Sequence, residues 1–211
     1  EPRISRVMAR GAINGTQLAG LASDPSWNLF RGTGNWRLQL DIPSLSASET
    51  TPLRADLHSD LLGMAIELPA PLGKSAGERR DLRISGEWGK QPLHPLRLSY
   101  GSVFGLAAQL DPGPAPPKPI ERMGIHLGEG NARLPATPAI EIDGKLEQLD
   151  LTPWLELMKG QSQGFDPPPL RRIDLQFDRL SWQQLTLERL DLDLEHDRNA
   201  LTGYVAGQHF E

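Results

Sequence analysis

The sequence predicts an all-β fold: one curved, twisted antiparallel sheet, apolar on a single side, with one or two short helices. Three observations predict it. First, apolar and polar residues alternate with a period of two. Leu190, Leu192 and Leu194 alternate with Asp191, Asp193 and Glu195, and Ile173, Leu175 and Phe177 with Asp174, Gln176 and Asp178. Successive side chains of a strand point to opposite faces, so each run has an oily face and a wet one. An antiparallel sheet tolerates that asymmetry. Second, the hydrophobic fraction of 38% suits a sheet with one wet face better than a thick core. Third, 21 glycines and 19 prolines supply many turns and favour a sheet that curls.

The elements follow in order. Arg3 to Arg10 reads as a strand. Asp24 to Phe30, with Asp24 as a cap and a proline in the first turn, reads as a short helix or turn. Strands follow at Trp36–Ile42, Leu53–His58 and Met64–Leu68, with a turn or bulge at Ser59–Leu62 between the last two. Leu82–Trp88, Leu96–Tyr100 and Leu106–Leu110 complete a meander. Further strands are expected at Ile125–Leu127, Ile140–Leu146, Leu149–Leu151, Arg172–Asp178, Gln184–Asp197 and Leu201–Val205. Within the Gln184 run, Leu185 and Leu187 share one parity and Leu190, Leu192 and Leu194 the other, which calls for a bulge or turn near Glu188–Arg189. A two-turn helix is expected at 153–159, capped by Thr152, opened by Pro153 and ended by Gly160.

The proline density of residues 111–119 forbids ladder pairing. It divides the chain into a section 1–110, a connector 111–119 and a section 120–211 that carries the short helix. A long surface loop within one continuous domain is the alternative.

Several chemistries lack their residues. There is no cysteine, no serine in a nucleophile elbow, and no metal-ligand spacing among His58, His94, His126, His196 and His209. A metal at His196 with Asp193 and Asp197 is the one arrangement the sequence offers, and alternating acids on a strand are usually solvated. Gly32-Thr33-Gly34 has no following helix to cradle a phosphate. No cofactor, no metal and no enzymatic activity are expected. With 22 basic residues interspersed among 27 acidic ones, net charge −5, no nucleic-acid footprint is present. No apolar stretch approaches the ~20 residues of a membrane helix. The start at Glu1 without Met suggests a piece of a longer protein. Absent cysteines leave the compartment open.

A sheet with one oily face must cover it with protein or with a ligand. The parity-matched candidates to line a hydrophobic groove are Leu38, Leu40, Leu57, Ile66, Leu68, Ile84, Leu98, Leu106, Leu110, Ile142, Leu175, Phe177, Leu192 and Leu194, with Trp154 and Leu157 of the short helix plugging or flanking it. A closed sandwich, in which a second sheet seals the same face, gives the same alternation.

The run that opens at Leu61, LLGMAIELPAPLGK, with Ala76-Gly77-Glu78 and a strand from Leu82 after it, resembles the AsmA-like family of Gram-negative envelope proteins. So do DGKLEQLDLTPWLEL from Asp143 and IDLQFDRLSWQQLTLERLDLDLEHD from Ile173. The resemblance covers about Trp36 to Leu201. It implies repeated β-structure curled, taco-like, into a long apolar groove. It further implies a periplasmic body held by an inner-membrane anchor that this chain lacks. Large members of the family are associated with moving phospholipid toward the outer membrane and with its permeability barrier. The implied partners are phospholipid acyl chains, with envelope protein partners left open and no catalytic residue implied. Two other readings stand beside this one. One is a non-enzymatic envelope scaffold that binds proteins through strand edges. The other is a sugar-binding sandwich that uses Trp27, Trp36, Trp88, Trp154 and Trp182.

Overall fold

The computed structural model describes residues 4–21, 29–44, 51–90, 93–111, 120–159, 168–197 and 200–209. In chain order the elements are β1 (Ile4–Asn14), α1 (Gly15–Leu21), β2 (Phe30–Pro43), β3 (Leu53–Ser59), β4 (Met64–Ile66), β5 (Leu82–Trp88), β6 (His94–Tyr100) and β7 (Phe104–Leu110). They continue as β8 (Arg122–Leu127), β9 (Ile140–Asp150), α2 (Leu151–Met158), β10 (Leu170–Trp182), β11 (Leu185–Asp197) and β12 (Ala200–His209). The strands form one open sheet in the order β1-β2-β3-β5-β6-β7-β8-β9-β10-β11-β12, with β4 paired to β2. The all-β class and the single large sheet agree with the sequence. Residues 24–28, 112–119 and 160–167, on which the early turn, the proline-rich connector and the end of the short helix were expected, lie outside the described residues.

Local differences have physical causes. A helix forms at α1, where the sequence suggested none. Asn14 and Gln17 cap it reciprocally: the Gln17 N–H donates to Asn14 Oδ1 at 2.8 Å and the Asn14 N–H to Gln17 Oε1 at 3.0 Å. The cap of α2 is Asp150, which accepts from the Thr152 N–H at 2.9 Å, and not Thr152 itself. The Thr152 hydroxyl oxygen instead accepts from the Gln183 N–H. The two expected strands at 140–146 and 149–151 are one strand, β9. The parity shift in β11 is a bulge: its register against β12 slips between Glu188 and Asp191, and Arg189 takes φ 51.

The larger difference is direction. The sequence suggested an antiparallel sheet throughout, but β9 lies parallel to both neighbours, β8 and β10. Parallel pairing needs a crossover, and each side of β9 has one. Residues 128–139 carry the chain back across the polar face. There Gly124 lies directly beneath them: a Cβ would sit 1.7 Å from the Arg133 carbonyl oxygen, so only glycine fits. Ala132 and Pro135 of this crossing segment are buried. The return from β9 to β10 begins with α2. The His126 imidazole ties the first crossover down, with Nδ1 2.6 Å from Asp143 and Nε2 2.9 Å from the Glu129 carbonyl.

Two buried clusters hold the sheet. One gathers Leu61, Met64, Ile66 and Tyr100, with Leu82, Leu98 and Phe104 packed against it. The other gathers Leu146, Leu175, Phe177 and Leu190. Burial at ~25 cal/mol per Å² makes these clusters the main source of stability.

Candidate functional site: an open apolar file across nine strands

Strand register places one residue of each neighbouring strand directly opposite the next. Leu38, Leu57, Ile84, Leu98, Leu106, Ile125, Ile142, Ile173 and Leu194 follow one another in this way from β2 to β11. Nine consecutive partners are Leu or Ile. Eight interstrand spacings of about 4.8 Å make this file roughly 38 Å long. Every member is half-buried. A residue beneath a second layer falls near zero, as Met64 does at 1%. Among the described residues no second sheet faces the file.

Leu40, Leu110 and Leu192 lie on this same face, each at even spacing from a file member on its own strand. They too are half-buried. Leu175 and Phe177 share the face but are sealed, at 9% and 4% exposure, in the second cluster. Ile66 is buried in the first cluster and Leu68 packs against it. Ile125 and Ile173 complete the file and were not among the sequence-based candidates, although both sit in alternating runs. The polar partners of each run, such as Arg83, Ser85 and Asp174, face the other way.

The excursion between β3 and β5 covers one end of the apolar face. Its fastener is Lys74, 6% exposed, whose ammonium donates to the carbonyls of Leu61, Met64 and Ser75 at 2.9, 2.5 and 2.8 Å. Burial pulls the Lys74 pKa below the ordinary lysine value, with Glu78 opposing and Arg80 adding to the effect. Gly73 is required beside it, because a Cβ would lie 1.9 Å from the Leu68 carbonyl oxygen. The Tyr100 hydroxyl donates to the Leu72 carbonyl at 2.9 Å, and the Arg80 guanidinium stacks over the Tyr100 ring at 4.9 Å. The Pro-Leu-Gly-Lys phrase is therefore a built-in clasp. Trp154 of α2 meets the same excursion, its indole N–H donating to the Ala70 carbonyl at 3.0 Å. Leu157 is half-buried on the same helix.

The metal arrangement considered from the sequence does not assemble. On β11, His196 has the parity of Leu194, and Asp193 the opposite parity, so the two point to opposite faces. Asp193 lies instead 3.3 Å from Arg172. Among the described residues no group of three His, Asp or Glu is placed to hold a metal, and no helix is long and apolar enough to cross a membrane.

An open mixed sheet with a continuous file of Leu and Ile along one face defines an all-β protein built on a one-sided apolar sheet. A family model described as YhdP protein matches residues 5–211, and the chain belongs to that family. The family is AsmA-like, a bacterial envelope family of the lipid-transport kind. Neither a curated protein nor a solved structure matches the chain.

Proposed function

We propose that this chain is a section of an inner-membrane-anchored periplasmic bridge that carries phospholipid toward the outer membrane, with acyl chains lying in the apolar groove. The observation that carries the reading is the nine-strand file of half-buried Leu and Ile side chains. Acyl chains that leave a bilayer expose about 0.8 kcal/mol of unfavourable surface per CH₂. A continuous trough lowers that penalty along the whole path rather than at one site. The bilayer's hydrocarbon core is about 30 Å thick, so one leaflet contributes about half of that. The file exceeds one acyl chain's reach and can hold chains end to end, as a conduit requires and a single-ligand pocket does not. Headgroups project from the open side into water.

A photo-crosslinking amino acid at Ile84, Leu106 or Ile142, in the full-length protein in cells, tests the reading. The controls are Gln109, Glu141 and Asp174, which face the other way. Phospholipid adducts from the first set alone are expected. Equal labelling of both sets, or none, would leave the envelope scaffold that binds through its strand edges as the better account.

A further inference from the structure

The polar face carries a second, directional pattern. Arg10, Arg37, His58 and Arg83 oppose one another in turn across β1, β2, β3 and β5, followed by Ser99 on β6. The same line continues through Gly105 to His126, Asp143, Asp174 and Asp193 on β8 to β11. Cations gather at one end and acids at the other. Like charges opposed across a ladder destabilise it.

The two ends relieve that repulsion differently. The acidic end has partners of its own: Arg172 reaches Asp174 at 3.2 Å and Asp193 at 3.3 Å, and the His126 ring lies 2.6 Å from Asp143. Nearby arginines off the line are also paired, Arg6 with Asp41 at 2.7 Å and Arg54 with Glu87 at 2.9 Å. Among the described residues no carboxylate pairs with Arg10, Arg37, Arg83 or Arg97. Arg37 instead has His58 Nδ1 as a neighbour at 3.3 Å, and the His58 Nε2 lies 3.6 Å from Asp81.

These unpaired cations border a cavity. Arg37, Arg83 and Arg97, with Ser85 and Ser99, line a cleft of about 580 Å³ whose far wall is the crossing segment at Gly130–Ala132. Asp56 is the acid in its lining, so three guanidiniums face one carboxylate. Arg83 opposes Ser99 and Arg97 opposes Ser85, which makes the two arginines diagonal neighbours, about 7–8 Å apart at the backbone and within joint reach of one ligand.

We infer that this cleft is an anion site for a phosphate-bearing ligand. Its volume is that of a small-molecule site. Guanidinium forks match phosphate oxygens, and a tetrahedral phosphate can satisfy several cations that a two-oxygen carboxylate cannot. The serine hydroxyls add neutral donors. The charged lining has the strand parity opposite to that of the apolar file, whose members Leu57, Ile84, Leu98 and Leu106 also border the cleft.

The test titrates the 211-residue chain at low salt with inorganic phosphate and with glycerol 3-phosphate by calorimetry. In parallel, the chain is co-sedimented with phosphatidylglycerol vesicles against phosphatidylcholine vesicles. Binding of the soluble probes assigns a free phosphate compound. Binding of the anionic vesicles without the soluble probes assigns a lipid headgroup. In either case Arg83→Gln with Arg97→Gln should weaken binding at least about tenfold, and Arg54→Gln, whose side chain is already paired, should leave it within about twofold. Circular dichroism checks folding, and Arg97→Gln alone gives the comparison if the double variant does not fold. No binding of any probe, equal losses in Arg54→Gln and the double variant, or binding of a polyglutamate peptide in place of the phosphate probes would overturn the assignment.

Discussion

The indole N–H of Trp154 donates to the carbonyl of Ala70 across 84 positions of sequence. Ala70 belongs to the excursion after β4 and Trp154 to the helix after β9, and β5, β6, β7 and β8 lie between β3 and β9 in the sheet. Two connections that start far apart along the sheet therefore meet, and a curled sheet allows that meeting. Trp154→Phe keeps an aromatic ring and removes the donor. A neutral hydrogen bond contributes about 1 kcal/mol, and this one is solvent-exposed, so global stability should fall by less than about 1 kcal/mol. Amide exchange within α2 should rise clearly while exchange in β5 to β8 stays unchanged. Unchanged exchange in α2 would show that the contact does not hold the helix.

Open groove and sealed core occupy the same sheet face, and substitution separates them. Leu175, at 9% exposure, sits in the cluster with Leu146, Phe177 and Leu190. Leu175→Asp buries an unpaired carboxylate, at a cost of several kcal/mol, and should unfold the chain. Leu106 is half-buried in the open file. Leu106→Asp should leave a cooperatively folding protein, destabilised by about 1–2 kcal/mol, because the carboxylate keeps access to water. Urea denaturation with unchanged m-values for Leu106→Asp is the check. Equal loss of structure in both variants would mean that the file is core.

Much of this was legible in the residues. Period-two alternation located most of the strands and assigned Leu38, Leu57, Ile84, Leu98, Leu106 and Leu194 to one face, because parity along a strand is a local property. The bulge at Glu188–Asp191 was visible for the same reason, as a flip in the leucine parity of β11. The parallel placement of β9 was not visible. It depends on which way residues 128–139 cross the sheet, and the glycine that permits the crossing, Gly124, reads locally like any strand glycine. Helix α1 had a signal, Asn14 three residues before Gln17, but seven residues, two of them glycine, are too few to show a helical period. The separation of sealed from open positions on one face was also hidden, since it is set by where the excursion and the β9–β11 cluster lie.

Lys74 fastens the excursion through three backbone carbonyls, two of them buried contacts to Leu61 and Met64. Lys74→Met preserves the length and apolar stem and removes all three donors. Each buried carbonyl left without a partner costs about 1–3 kcal/mol, partly recovered where water enters. A total loss of about 3 kcal/mol is expected in urea denaturation. Limited proteolysis should then cut between Leu61 and Arg80 before any other described segment. A variant that retains full stability would show that Gly73 and Tyr100 hold the excursion by themselves.

Tyr100 makes the same end of the groove sensitive to alkali. Its hydroxyl donates to the Leu72 carbonyl, and burial raises its pKa above the ordinary tyrosine value, with the Arg80 charge pulling the other way. In the unfolded chain the group titrates near 10. The folded state therefore holds this proton to higher pH than the unfolded state does, and stability depends on that difference. The contribution is fully present below pH about 10 and is lost as pH rises through the folded pKa, because a phenolate cannot donate to Leu72 and would be buried beside an acceptor. Tyr100→Phe removes the hydroxyl and with it this titration. The wild-type chain should thus exceed the variant in stability at neutral pH, and the gap should close between about pH 10 and the folded pKa. Thermal melts of both proteins from pH 7 to 11 measure it. Parallel pH profiles, with a constant gap throughout, would show that the Tyr100 hydroxyl is not the alkaline trigger.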